Sequence, residues 1–330
     1  HTAREAILAG ADSVYIGAPL FGARKDAANS AGDIADLCRF AHLYGCKVYV
    51  ALNTILFDSE LQKAARMAEE LWDAGADAII AQDLGLLAAA GRRVKFHAST
   101  QCHIDSPDKA RFLEAAGFAA VVLARETPLR QIAETARAVN VPVECFVHGA
   151  LCRSVSGQCY LSGLLGGRSG NRGLCAQPCR LPFAAGHRPG PEDRALSLKD
   201  LCLRDHVATL SRIGVASLKI EGRMKRPEYV AAATAVFAAL ARGEEPDELL
   251  LEDLQKVFSR SGFTDGYFSG RRGRDLLGSR RKEDVTAADA ATLARLARLY
   301  DKETPRVAVD WRLRAEAGFP AVLFATDGIH

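Results

Sequence analysis

The sequence predicts an α/β fold, a (β/α)8 TIM-barrel-like architecture, on three observations. Short β-branched runs alternate with Ala-rich amphipathic helical stretches, the pattern of a parallel sheet. A unit of helix end, Gly, small residue and apolar strand recurs as AGADSVYIG, AGADAIIAQ, AGFAAVVLA and IGVASLKIEG. No G-x-G-x-x-G follows the first strand, which argues against a dinucleotide-binding sheet.

The expected strands, in order, are Ser13–Gly17, Lys47–Asn53, Asp77–Gln82, Val94–Thr100, Ala119–Ala124, Pro142–His148, Ala195–Lys199 and Ala216–Glu221. Each is a short apolar run, and in the repeats a Gly marks the helix-to-strand junction. Helices fall between them, among them Ser59–Ala74, Pro107–Ala116 and Pro128–Val139. Beyond Glu221 come a helix at Pro227–Arg242, an acidic stretch and a helix at Glu248–Ser259. A Gly- and Arg-rich loop, SRSGFTDGYFSGRRGRDLLGSRRK, follows. From Arg306 the residues alternate as in an antiparallel hairpin. The expected units are therefore a barrel over 1–226 with a cysteine loop at 148–183, a helical and basic-loop extension over 227–300, and the opening of a β accessory domain over 301–330.

Composition is that of a soluble globular chain, 48% hydrophobic and 25% charged. No apolar run approaches the roughly 20 residues of a membrane helix. The βα pattern suits an intracellular, cytoplasmic enzyme better than a secreted disulfide framework. The chain starts at His1 without Met, so its natural N-terminus is expected upstream. Of nine cysteines, Cys38, Cys46, Cys102, Cys145 and Cys202 read as small buried hydrophobes.

The other four stand in one Gly-, Ser- and Arg-rich loop at C-x6-C-x15-C-x3-C spacing: Cys152, Cys159, Cys175 and Cys179. Thiolates ligate iron–sulfur clusters and zinc. The x3 spacing and the lack of a second C-x2-C pair suit a zinc knuckle less well. A 4Fe-4S cluster, structural zinc and free thiols all stay open.

Barrel enzymes carry reactive groups at the C-terminal strand ends. Here those ends hold Asn53, Gln82, Asp83, Ser99, Thr100, Gln101, Arg125, Glu126, His148, Lys199, Asp200, Glu221 and Arg223. In the K-I-E-G-R run, Lys219 and Glu221 share a strand face and Arg223 follows. They suit an anionic small molecule and proton transfer, or equally a structural ion pair. Glu144 and His148, four apart on one strand, suit an acid/base pair, or a satisfied buried histidine. His97 and His103 read as buried structural histidines. The run Arg271–Lys282 holds Arg271, Arg272 and Arg274 behind Tyr267 and Phe268, and Arg168 and Arg172 add charge to the cysteine loop. Cations beside rings suit RNA, and equally a solvated surface.

The segment ECFVHGALCRSVSGQCYLS resembles the signature of peptidase family U32, the collagenase-like peptidases. LSLKDLCLRDHV and SLKIEGRMKRPEYV resemble further blocks of that family. GGRSGNRGLCAQPCRLPF with FSRSGFTDGYFSGRRG looks most like its 23S rRNA cytidine hydroxylase branch, with the transfer RNA uridine hydroxylases close by. The resemblance implies a prephenate-dependent RNA base hydroxylase that makes a 5-hydroxypyrimidine. It implies a 4Fe-4S cluster on Cys152, Cys159, Cys175 and Cys179, with Cys202 as reserve fourth ligand. The alternatives are a peptidase acting on collagen-like chains, and hydroxylation of transfer RNA uridine or the ubiquinone ring. Relatives begin with one more strand, so the first barrel strand is expected to be missing from this chain. The C-terminal domain is likewise expected to be incomplete.

Overall fold

The computed structural model describes residues 2–23, 29–184, 186, 194–222, 225–259, 261–271, 273–279, 284, 287–301 and 308–327. Among them, seven parallel strands pair in the order β1 (Ser13–Gly17), β2 (Lys47–Leu52), β3 (Ala78–Ala81), β4 (Phe96–Ala98), β5 (Ala120–Val122), β6 (Val143–Ala150) and β8 (Ser217–Ile220). Each lies within or beside its expected run. The strands are near-continuous apolar segments because both faces are covered; all four residues of β3 are buried.

Helices α1 (Thr2–Leu8), α2 (Ala31–Leu43), α3 (Asp58–Asp73), α4 (Leu84–Ala89), α5 (Pro107–Ala115), α6 (Leu129–Ala138) and α8 (Val207–Arg212) alternate with these strands and cover them. The repeat explains the switch from helix to strand. Gly10, Gly75, Gly117 and Gly214 all have left-handed backbones, with φ from 92° to 115°. Behind each, the next amide donates to the carbonyl five residues back, as in Ala76 to Leu71 and Phe118 to Leu113. That is the Schellman stop, and it turns the chain at the same point each time.

The seam between β8 and β1 is held differently. Tyr15 Oη donates to the Ile220 carbonyl at 3.4 Å. Outside it, α9 (Pro227–Ala241) packs on α1, α8 and β8, with Tyr229, Ala231, Ala232, Ala233, Val236 and Phe237 buried. The boundary expected after residue 226 thus falls inside the barrel's helical layer. α10 (Glu248–Val257) and α11 (Ala290–Ala297) pack on α9 in turn.

One strand differs from expectation. The run Ala195–Lys199 is not the strand; β7 is Asp200–Cys202, antiparallel to the end of β6. Ser197 is instead tied to the Gly278 carbonyl and to Arg180. The two-residue β9 (Phe263–Thr264) adds parallel to β7. The hairpin of β10 (Asp310–Arg314) and β11 (Val322–Thr326) is antiparallel, and both strands are exposed throughout. No described helix is long and apolar enough to cross a membrane.

Two histidines are folded into the sheet. His97 lies edge-on to Tyr49 with ring centroids 4.7 Å apart. Burial pushes it down to about 4 and pushes His148 down to about 3, from an ordinary 6.5. Above pH 6.5 neither state of the chain charges them. As pH falls below that value, the unfolded chain takes up protons that the folded chain refuses. Stability is therefore lost between 6.5 and about 4 for His97, and on to about 3 for His148. Each contributes about 1.4 kcal/mol per pH unit in its window. Urea unfolding at about pH 6 and about pH 5 is expected to show this loss, and His97→Asn to remove roughly half of it. An unchanged slope in that variant would rule the assignment out.

Candidate active site

The C-terminal end of the barrel gathers two ion pairs around one ring. Lys219, inward on β8, donates from Nζ to Glu144 Oε1 at 2.5 Å. The other Glu144 oxygen accepts from Ser217 Oγ at 2.6 Å. The Lys219 ammonium also sits 4.0 Å from the centre of the Tyr15 ring. Burial alone would raise the Glu144 carboxyl, but Lys219 and these hydrogen bonds outweigh it and hold it below its ordinary range. Glu144 is therefore an anion inside the barrel, matched by a cation of equal burial. Arg125, at the end of β5, donates to Glu221 Oε2 at 2.7 Å. Its guanidinium lies 4.0 Å above the Phe146 ring, with Lys219 5.8 Å from the same ring.

Glu144, Lys219 and Glu221 are thus brought together as the sequence suggests. Arg223 lies outside the described residues. His148 is not brought to Glu144, and the cause is a β-bulge. Phe146 pairs with Lys219, but His148 pairs with the very next residue, Ile220. Two residues of β6 oppose one of β8, so side chains beyond the bulge swap faces. His148 points outward, its Nδ1 3.0 Å from the Tyr229 hydroxyl, among Phe237, Phe258 and Phe263. The expected Glu144–His148 acid/base pair does not form; His148 is a buried structural histidine.

A void lined by Arg125, Cys145, Phe146 and Leu201 holds about 10 Å³, at most one water. A cavity of about 440 Å³ opens against α10, lined by Glu252, Lys256, Ser259 and Ser261.

The cysteine loop reaches this C-terminal end of the barrel. It contains a short helix, α7 (Leu161–Gly166), which the sequence did not announce. Three contacts fasten it beyond the strand ends, and a fourth closes it on itself. Ser156 donates its N–H and hydroxyl to the two carboxylate oxygens of Glu126, at 2.7 and 2.8 Å. Gly157, at φ 74°, lies so close to the Gln101 carbonyl that a Cβ would stand 2.0 Å from its oxygen. Arg172 donates to the Ile55 carbonyl and to Glu60, both at 2.6 Å. Arg180 joins the two ends of the loop, donating to Leu151 O, Leu198 O and Ser197 Oγ at 2.7–2.9 Å.

Cys152, Cys159, Cys175 and Cys179 are all free thiols. Burial raises the Cys179 pKa, Arg180 opposes this, and each of the other three thiols raises it further. The four therefore share one electrostatic neighbourhood. Among the described residues no group of three or more His, Cys, Asp or Glu stands at ligating separation. The donor set, four thiols on a loop with no acidic residue between His148 and Ala184, suits a thiolate-bound metal centre. Cys202 is elsewhere, opposite His148 on β7.

The cations expected at RNA divide. Arg172 is committed to Glu60 and Ile55, stacked 4.7 Å from the Phe57 ring. Arg271 is paired with Asp265, whose carboxyl burial would raise but Arg271 and His206 hold low. Arg168 and Arg274 are exposed. Arg272 and the run 280–282 lie outside the described residues. Sequence reasoning placed Arg125 among the polar strand ends without giving it a role. Tyr15 and Ser217 were missed, because a ring and a hydroxyl gain meaning only beside Lys219 and Glu144.

Comparison with known proteins follows the same outline. The family model described as peptidase family U32 matches residues 1–277. The chain is 44% identical over 288 residues to the 23S rRNA 5-hydroxycytidine synthase of Escherichia coli (strain K12), covering 82% of this chain and 44% of that protein. It thus spans less than half the length of that relative. It is 33% identical to the tRNA hydroxylation protein P1 of Bacillus subtilis (strain 168), covering 92% of this chain and 76% of the other. It is 36% identical to a collagenase of Porphyromonas gingivalis (strain ATCC BAA-308 / W83), covering 81% and 70%.

The buried pair makes a stability prediction. Lys219→Met strands the Glu144 carboxylate and is expected to destabilise the fold by about 3–5 kcal/mol. Adding Glu144→Gln should recover part of that loss, measured by urea unfolding at neutral pH. Strict additivity of the two substitutions would show that they do not interact.

Proposed function

The chain belongs to peptidase family U32, and from that premise we propose an iron–sulfur-dependent RNA base hydroxylase that forms a 5-hydroxypyrimidine. The product proposed first is 5-hydroxycytidine in 23S rRNA, with transfer RNA as the second substrate. What supports the reading most is a set of four free thiols on one acid-free loop, which Glu126, Gln101 and Ile55 tie to the same C-terminal end of the barrel that holds the Lys219–Glu144 and Arg125–Glu221 pairs.

In this proposal Cys152, Cys159, Cys175 and Cys179 hold a 4Fe-4S cluster. Once bound, such a cluster supplies electron transfer at the barrel mouth. The chain's own residues do the rest. Lys219 and Arg125 bind the carboxylates of an oxygen donor such as prephenate, each exchanging an internal carboxylate for one on the ligand. Glu144, released from Lys219 by that exchange and left with Ser217, rises in pKa and accepts a proton at Oε1. Phe146 and Tyr15 keep both cations against apolar rings and limit the water around them. Exposed arginines, Arg168 and Arg274 among the described ones, meet RNA phosphates.

The peptidase reading has the family's description and the collagenase relative behind it. A nucleophile needs a base within hydrogen-bond reach. Among the described residues no loop thiol is hydrogen-bonded to a histidine, and His148 is sealed behind β6.

Two measurements test the hydroxylase together. Protein purified without oxygen is expected to show the broad visible absorption of thiolate-bound iron, and Cys159→Ala to remove it. Mass spectrometry of RNA from cells carrying only Cys159→Ala is expected to show the 5-hydroxypyrimidine gone. Full modification in that strain would sink the mechanism, and a colourless wild type with one zinc would replace the cluster.

A further inference from the structure

Helix α7 has its polarity inside out. Ser162 is buried, and its Oγ accepts from the Ala176 amide beside Cys175. Two of its three leucines face outward, Leu164 83% exposed and Leu165 61%, while Leu161 is half-buried. Tyr160, one turn before Leu164 and bonded to it through the backbone, is 71% exposed. A helix turned this way gains nothing by folding alone, so its exposed side points to a partner. Its place in the loop is specific. Tyr160 follows Cys159 directly, and Gly170, after the helix, lies against both Cys159 and Cys175.

Charge selects the partner. From His148 to Ala184 the chain has four arginines and no acid. Arg172 and Arg180 are tied into the protein, whereas Arg168, two residues past α7, is exposed. A like-charged second copy would be repelled by this surface, and a polyanion drawn to it. Among polyanions, a duplex hides its base faces, and apolar side chains find no purchase on phosphates. An unpaired strand offers both a charged backbone and open rings.

We propose that α7 is a stacking wedge for unpaired RNA. Tyr160 lies against one base, Leu164 and Leu165 fill the step next to it, and Arg168 meets the adjoining phosphate. This rests on the RNA hydroxylase reading and adds how the target base leaves its stack. A base held in a helix cannot reach the thiols, and the gap left by an extruded base needs an apolar filler.

The test is fluorescence anisotropy with a short labelled single-stranded RNA and with the same sequence as a duplex, at fixed salt. Tyr160→Ala and the pair Leu164→Ser with Leu165→Ser are expected to weaken single-strand binding by about five- to a hundredfold. Duplex binding should hardly change. Tyr160→Phe should bind like the wild type. Arg168→Ala should weaken both and lower the salt slope by about one. All four variants are surface changes, so unfolding temperature and visible absorption should stay put.

Single-strand affinity untouched by Tyr160→Ala would overturn the wedge. So would equal loss on strand and duplex, or a fall in sedimentation coefficient showing that α7 had joined two copies. Should the wild type hydroxylate RNA while Tyr160→Ala still binds normally, only the wedge fails. Should the wild type bind single strands through Tyr160 yet modify none, the wedge stands and the hydroxylase fails.

Discussion

The Lys219 ammonium touches three strands beside the β8–β1 seam, where the described residues form no backbone ladder. It belongs to β8, is paired with Glu144 on β6, and rests on Tyr15 of β1. Removing two charges from water is expensive, so a pair this deep persists only when every lone pair is answered. Ser217 supplies the missing donor to Glu144, and the Tyr15 ring supplies the ammonium with a second negative surface. The consequence is geometric. With Glu144 fixed inward, β6 has its phase set, and Phe146 must point inward too. Phe146 then becomes the surface on which Arg125 stacks, and stacking aims Arg125 at Glu221.

The bulge that follows ends this phase as firmly as Lys219 begins it. Beyond Phe146 the strand turns its side chains over, and His148 goes to the helical layer and Tyr229. The Val147 carbonyl accepts from Leu203, and Gly149 pairs with Leu201 of β7. So the last residues of β6 leave the barrel ladder for an antiparallel one. That departure carries the chain out over the mouth. A strand that stayed in phase would have placed His148 beside Glu144 and left the cysteine loop with no edge to start from.

Much of this was legible because it follows local rules. The four glycine repeats predicted helix ends, and each proved to be a left-handed stop. Lys219 and Glu221 were found because strand parity holds over two residues. It failed over four in the case of His148, since a bulge is a backbone event without a residue signature at that site. The strand expected at Ala195–Lys199 failed for a related reason. Arg180 and Gly278 claim Ser197, and pairing begins only at Asp200. Helix α7 was hidden by its own inversion: with Leu164 and Leu165 outward and Ser162 inward, LSGLLG has no amphipathic pattern to read. Arg172 looked like an RNA contact because composition cannot tell a cation that faces solvent from one that faces Glu60.

That last ambiguity bears on the thiols. Burial raises the Cys179 pKa, and its three companion thiols add to that rise. An acidic residue nearby would raise it further, and the loop has none. Its arginines act in two ways instead. Arg180 lies beside Cys179 and lowers its pKa while bonding both ends of the loop, so one guanidinium sets charge and shape together. Arg172 fixes the far side through Glu60, whose carboxyl that hydrogen bond holds low. The arginine charge beside these thiols is therefore the same charge that pins the loop to the barrel. Only the arginines left over from that task, Arg168 foremost among those described, are free to face a polyanion from outside.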